Sequence, residues 1–172
     1  MAVQVRRIRS GEGKLLRKVR LAALADSPLA FESTVDEEYN RPDEALETAA
    51  AARSEGGASA NFVVEGEAGV VGLIGAYRSD EEPTTVELVS MWVAPHARGQ
   101  GLGAHLVERV IEWAAAAGAT RVALWVTSGN DPAMALYRRT GFGPTAVSKA
   151  HVSHPCQAEL RMARELVGVH GG

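Results

Sequence analysis

Apolar positions change their spacing along the chain, and the changes separate helices from strands. Leu15, Leu16, Val19, Ala22 and Ala23 recur at helical intervals, with Arg17, Lys18 and Arg20 largely on the other side. An amphipathic helix is therefore expected over residues 13–25, ended by Asp26-Ser27-Pro28. A second helix is expected over about 42–53, with Pro42 in its first turn. Leu102, Leu106, Val110 and Trp113 stand four, four and three residues apart, which predicts a helix over 101–117 stopped by Gly118. Residues 132–140 predict another, closed by Gly141.

Strand signals fill the remainder. Val3, Val5 and Ile8 alternate loosely with polar neighbours. Residues 61–65 and 70–78 flank the turn Gly66-Glu67-Ala68-Gly69 and read as a hairpin, with Gly72 and Gly75 weakening or bulging its second strand. Residues 85–93 form a strong strand stopped by Pro95, and residues 121–126 a short buried one. Weaker strands are expected near 146–148 and 157–163. The first half is antiparallel in character and the middle reads strand–helix–strand, so the class is α+β around one central sheet. Repeats, linkers and low-complexity blocks are absent from the pattern.

Composition narrows the function classes. A chain of 172 residues, 46% hydrophobic and 23% charged, is expected to fold as one domain, 1–172. Its net charge of -3 argues against a nucleic-acid binder. Cys156 is the single cysteine, and no Cys/His group has zinc-ligand spacing, so neither a disulfide framework nor a metal site is expected. No apolar run approaches the ~20 residues that cross a bilayer. Met1 to Arg9 also lacks the apolar core of a signal peptide. A cytoplasmic protein without membrane partners is the expectation.

Chemistry concentrates between the 85–93 strand and the following helix, in Val93-Ala94-Pro95-His96-Ala97-Arg98-Gly99-Gln100-Gly101-Leu102-Gly103-Ala104. Glycines let backbone N–H groups approach an anion. The helix amino terminus adds free donors and partial positive charge, and Arg98 can add a bidentate fork. A phosphate or diphosphate ligand is implied, although the same glycines also suit a tight strand-to-helix turn. No Gly-x-x-x-x-Gly-Lys-Ser/Thr occurs, which excludes a P-loop. Gly99-x-Gly101-x-x-Ala104 matches the loose dinucleotide fingerprint. However, residues 121–126 lack the acidic residue that fingerprint requires.

The chain resembles the GNAT (Gcn5-related) N-acetyltransferase superfamily, in a bacterial-type form. Arg98-x-x-Gly101-x-Gly103 matches the family signature, after a strand ending Val93-Ala94-Pro95. A second signature is matched by Asn130-Asp131-Pro132-Ala133-Met134-Ala135-Leu136-Tyr137, closing with Gly141-Phe142. The strong resemblance covers roughly Asn61 to Phe142, the expected cofactor-binding core; residues 1–60 add a strand and helices, and 143–172 the last strands and tail. The resemblance implies acetyl-CoA as co-substrate, an amine acceptor, and central parallel strands that splay to admit the pantetheine arm. Met91, Trp92 and Val93 would then offer backbone groups to pantetheine. The amides of Gly99, Gln100, Gly101, Leu102, Gly103 and Ala104, with Arg98, would hold the diphosphate. A homodimer is compatible with the family's habits.

The resemblance makes Tyr137 the general acid for the departing thiolate; packing in the core is the other reading of a helical Tyr. Asn130 takes the place of a cofactor contact, and equally suits a helix N-cap before Asp-Pro. The acceptor amine needs a proton sink, and Glu87 is the candidate. Strict alternation would put it on one side with Val89, Met91 and Val93, partly desolvated, and Ser90 on the other. The alternative is an exposed strand-end Glu. His96 and His105 read as exposed or structural. Phe31, Glu32, Tyr39 and the loop carrying His151, His154 and Cys156 are candidates by position to line an acceptor mouth; ordinary loop and helix residues are the other reading of the first three. The acceptor is expected to be a small molecule; a protein amino terminus or lysine, and a non-catalytic CoA-binding module, are the alternatives.

Overall fold

The computed structural model describes residues 3–167. Antiparallel pairing dominates the first half, where β-favouring runs are separated by short polar turns. β1 (Gln4–Arg7), β2 (Ser59–Gly66), β3 (Gly69–Arg78) and β4 (Thr85–Val93) are successive antiparallel neighbours. The chain then crosses through α4 (Leu102–Ala116) to β5 (Arg121–Thr127), which lies parallel to β4, as a helical crossover permits. β6 (Gly143–Ala150) and β7 (Ala158–Glu165) complete a seven-stranded sheet ordered β1-β2-β3-β4-β5-β7-β6. The α+β class and the mixed, mostly antiparallel sheet are thus present. β6 and β7 run beyond their predicted segments. Most of β6 is exposed, so no buried alternation marks an edge strand of this kind.

Helices cover both faces. α1 (Gly13–Asp26) and α3 (Asp43–Ser54) pack on each other and against β3 and β2. α4 lies on the opposite face, over β2, β3 and β4. A Cβ on Gly72 would stand 3.2 Å from Leu106 Cδ1 in α4, and one on Gly75 3.0 Å from Asn61 Nδ2. These glycines let one layer close on each face. α4 buries Leu102, Leu106, Val107, Val110 and Ile111, each such side chain contributing about 1.5–3 kcal/mol. α5 (Asp131–Arg139) follows β5. Besides two 3-10 turns, Pro28–Ala30 and Pro95–Ala97, one α-helix of the described residues lay outside the predicted set: α2 (Val35–Tyr39), five residues and too short to show a period. Its signal was a capping box, in which Thr34 Oγ1 accepts from the Glu37 amide and Glu37 Oε2 accepts from the Thr34 amide.

Two irregularities in β4 shape the centre of the molecule. Pairing with β5 runs from Thr85↔Arg121 to Glu87↔Ala123 and stops. Beyond it β4 stays with β3 and β5 stays with β7, so the two parallel strands splay. Between Gly75↔Val89 and Leu73↔Trp92, two residues of β4, Ser90 and Met91, oppose Ile74 alone. Ser90 carries φ +55, a left-handed conformation uncommon outside glycine. This bulge overturns the strict alternation expected for the strand. Paired residues point to the same face, so Glu87 and Val89 share theirs with Trp92, whereas Val93, opposite Gly72, faces α4. Irregularity was expected at Gly72 and Gly75. β3 does carry an extra residue, Val71, against β2, but the bulge facing the splay belongs to β4.

Candidate active site

The splay opens a cleft of about 1220 Å³. At one end lies the amino terminus of α4. Gly99 and Gly101 have φ +78 and +79, a region that glycine enters without steric cost. Gly101 caps α4 with no side chain to offer its amides. The His105 amide bonds to the Gly101 carbonyl. Those of Leu102, Gly103 and Ala104 are the first-turn donors that a helix leaves free, and all three residues line the cleft. Gly103 has a packing reason to be glycine: a Cβ there would stand 3.0 Å from Met91 Cε and 3.1 Å from Leu136 Cδ2. Gln100 is exposed and is not among the residues lining the cleft.

Arg98 lines this end but is already engaged. Its Nε donates to the Val93 carbonyl at 2.9 Å, and its Nη2 pairs with Asp26 at 2.5 Å. Asp26, at the end of α1, also accepts from Trp92 Nε1 at 2.9 Å. That bond, followed by those from Ser27 and Arg98, holds the Asp26 carboxyl below the usual range. Trp92 is therefore an anchor between β4 and α1 as well as a cleft residue. Met91, Trp92 and Val93 all border the gap left by the missing β5 partner. Of their carbonyls, that of Val93 is occupied by Arg98.

Tyr137 stands on the α5 wall, buried at 6% exposure yet lining the cleft, with its ring edge-on to Phe142 at 5.9 Å. Its position shows the packing, and places the ring on the cleft lining as well. Burial pushes its phenol well above the usual tyrosine range, so the group stays protonated. Asn130 caps α5, its Oδ1 accepting from the Ala133 amide at 3.3 Å, and it also borders the cleft.

Glu87 reaches the cleft from β4, but not beside Val and Met alone. Arg161 of β7 binds both of its oxygens, at 2.7 and 2.5 Å, with each side chain about one-seventh exposed. Strand pairing explains the meeting, since Glu87↔Ala123 and Ala123↔Ala163 place β7 two strands away from β4. Arg161 escaped notice because nothing local in Glu159-Leu160-Arg161-Met162 marks a partner for a residue seventy-four positions earlier. Arg20 and Ser90 were likewise missed as a pair; Arg20 Nη1 donates to Ser90 Oγ at 3.1 Å, joining α1 to the bulge of β4.

The late loop plays a part different from the one expected. His151 is buried at 1% exposure, its Nδ1 accepting from the Ser153 amide and its Nε2 set 3.0 Å from the Leu29 carbonyl. It ties the β6–β7 hairpin to residues 27–33 instead of lining the mouth. Phe31 and Glu32 do line the cleft, whereas Tyr39 is 70% exposed and does not. His96, His105 and Cys156 are exposed. Among the described residues no group of three His, Cys, Asp or Glu could hold a metal ion, and no helix is long and apolar enough to cross a membrane.

Residues 22–142, which contain β2 to β5, α4 and α5, match the family pattern described as Acetyltransferase (GNAT) family. The chain belongs to the GNAT acetyltransferase family. Within it, the mycothiol acetyltransferase of Beutenbergia cavernae is 41% identical over 66 residues, or 38% of this chain and 22% of that protein. An uncharacterised N-acetyltransferase of Mycobacterium bovis is 33% identical over 98 residues, 57% of this chain and 62% of that one. The match therefore spans less than two thirds of either relative. The yncA structure from Salmonella typhimurium, solved with its cofactor acetyl-CoA, superposes with a TM-score of 0.80 at 21% identity, covering 99% of this chain and 98% of that one. That likeness is one of GNAT fold.

Proposed function

We propose that this GNAT protein transfers acetyl from acetyl-CoA to the primary amine of a small molecule, by direct attack of the amine on the thioester. The observation that carries the reading is the splay, because it joins three complementary surfaces in one cleft. The free amides of Leu102, Gly103 and Ala104 suit a diphosphate. The edge of β4 beyond Glu87, released from β5, suits an extended arm bearing amide groups. Tyr137 lines the same cleft.

Acetyl-CoA supplies an activated acyl group. Met91, Trp92 and Val93 orient its arm along β4, and Arg98 and Asn130 border it at the two ends of the glycine turn and α5. Tyr137 donates a proton to the leaving thiolate, which a phenol kept neutral by burial is suited to do. Glu87 receives the proton of the attacking amine. A carboxylate offers about four acceptor positions and Arg161 takes two, which leaves lone pairs for the amine. Positioning carries the larger share of the rate.

A small acceptor is supported by the roof of the cleft. His151 and Thr127 bind the Leu29 carbonyl, Ser153 binds the Glu32 carbonyl, and Lys149 pairs with Glu32 at 3.3 Å. The His151, Ser153 and Lys149 ties hold the β6–β7 hairpin against residues 29–32, and Thr127 of β5 holds the same segment, beside the cleft that Leu29, Phe31 and Glu32 line. Thiol release from acetyl-CoA, followed over amino acids, polyamines, aminoglycosides and short peptides, tests the reading. Turnover confined to peptides would replace the small acceptor by a protein. Acetyl-CoA binding with no turnover would leave a CoA-binding module.

A further inference from the structure

The acceptor side of the cleft carries more guanidinium than carboxylate. Arg20, its side chain 11% exposed, sits with Nε 3.0 Å from Glu38 Oε2 and gives Nη1 to Ser90 Oγ and Nη2 to Ser33 Oγ. Arg41 reaches the same Glu38 oxygen at 3.8 Å. Arg53 bonds only to a neutral amide, Asn61 Oδ1 at 3.1 Å, with no carboxylate at ion-pair distance among the described residues. All three arginines line the main cleft. Arg20 and Arg53, with Asn61, Tyr77 and Ser90, also line an adjoining hollow of about 170 Å³. Three cations thus meet one buried carboxylate. Desolvation first, then Arg20 and Arg41 nearby, hold the Arg53 guanidinium below its ordinary value, with Glu38 opposing them. Of the acids lining the cleft, Glu87 pairs with Arg161, and Glu32 and Glu159 pair with Lys149; Asp80 and Glu81, also on the lining, carry no ion pair among the described residues and none of the five pairs with these arginines.

We infer that the acceptor is a small amine that also bears an anionic group, a carboxylate or phosphonate, and that Arg53 and Arg20, with Arg41 behind them, bind that group. The inference rests on the acetyl-transfer reading and names its substrate class. Guanidinium forks match the geometry of such anions and can shed hydroxyl partners such as Ser33 and Ser90 to take them. Arg20 also sets the spacing. It binds Ser90 in the β4 bulge, three residues past the last pairing with β5. The anion site therefore adjoins the splayed part of β4, and amine and anion belong on one small molecule. Polyamines meet like charge there and are disfavoured.

The test compares α-amino acids and aminoalkylphosphonates with their own amides or methyl esters, by thiol release from acetyl-CoA. Masking the acid makes the neighbouring amine less basic and more available, so a preference for the free acid reports binding and not amine reactivity. The acids are expected to exceed their masked forms in kcat/KM by about tenfold or more, the scale of one hydrogen-bonded charge. The two series tell carboxylate from phosphonate. Arg53→Gln is expected to bring the acid-to-amide ratio toward one, and Arg53→Lys to keep part of it. The ratio is taken within one preparation, so a merely structural loss cancels. Masked amines acetylated as well as the acids, or a ratio unmoved in Arg53→Gln, overturns the inference and leaves acetyl transfer standing. No acetylation of any amine while acetyl-CoA binds overturns acetyl transfer and this inference with it.

Discussion

Arg161 holds Glu87 by both carboxylate oxygens across the splay, Nη1 to Oε2 at 2.7 Å and Nη2 to Oε1 at 2.5 Å. The pair joins β4 to β7 over the intervening β5, and it puts a neutralised carboxylate where a free one was expected. Glu87→Gln keeps the shape of the side chain and removes the proton acceptor. It is expected to lower kcat/KM by about 10²-fold or more. An unchanged kcat/KM would take the base role from Glu87.

Arg161→Met leaves the carboxylate of Glu87, 13% exposed, without its partner. Breaking a buried pair from one side costs about 3–5 kcal/mol, so a clear fall in melting temperature is expected. Removing both charges, in Glu87→Gln with Arg161→Met, is expected to restore part of that stability. Thermal unfolding of the two variants side by side checks the order.

Tyr137→Phe is expected to slow turnover by about 10²-fold or more with acetyl-CoA affinity unchanged. Full turnover in the variant would reassign the acid. Stability gives an independent reading. The folded phenol is shifted upward, so its contribution is complete below the unfolded tyrosine range, about pH 10, and declines as pH rises above it. Denaturant midpoints of the native protein and Tyr137→Phe should therefore diverge in pH dependence only above that range.

Asp26 shows the opposite sign. Its folded carboxyl is shifted downward, chiefly by the Trp92 indole. Its contribution is complete above the unfolded value, about 3.9, and is lost as pH falls through the lower folded one. The stability advantage over Asp26→Asn should be level above about pH 5 and shrink below about pH 4. An advantage that persists undiminished into stronger acid would show that the Trp92 and Arg98 bonds do not depend on the charge.

Gly101→Ala has open space around the new methyl, since nothing lies within 4 Å of its Cβ, but the residue sits at φ +79. A left-handed alanine costs about 1–2 kcal/mol. The helix can relieve that strain only by turning its first amides. A modest fall in stability is expected together with a larger loss of acetyl-CoA affinity, measured by calorimetry. Affinity unchanged beside the lost stability would separate the glycine turn from the ligand.

Much of the fold was legible along the chain. Leu102, Leu106 and Val110 mark α4 by period, and Gly66 to Gly69 mark the first hairpin by turn chemistry. The signatures from Arg98 to Gly103 and from Asn130 to Tyr137 were readable for the same reason. Each is a local segment whose backbone task, a capless helix start or a capped one, is written in neighbouring residues. α2 was missed because five residues show no period, although Thr34 and Glu37 carried its cap.

What the sequence by itself determined is the order of the main elements, the α+β class and the glycine turn that opens α4, all of which depend on residues within one turn or one hairpin of each other. Only the tertiary structure decided which charges meet. The bulge at Ser90 reverses the facing of Val93 relative to Glu87, and no rule of alternation announces an extra residue. Arg161 finds Glu87 because the last two strands enter the sheet out of order. Arg20 and Arg41 meet at Glu38, and Arg53 lines the same cleft, because α1, α2 and α3 fold together at one end of it. Coulomb interactions depend on distance in space, and the one-dimensional pattern holds no record of distances that long-range strand pairing creates.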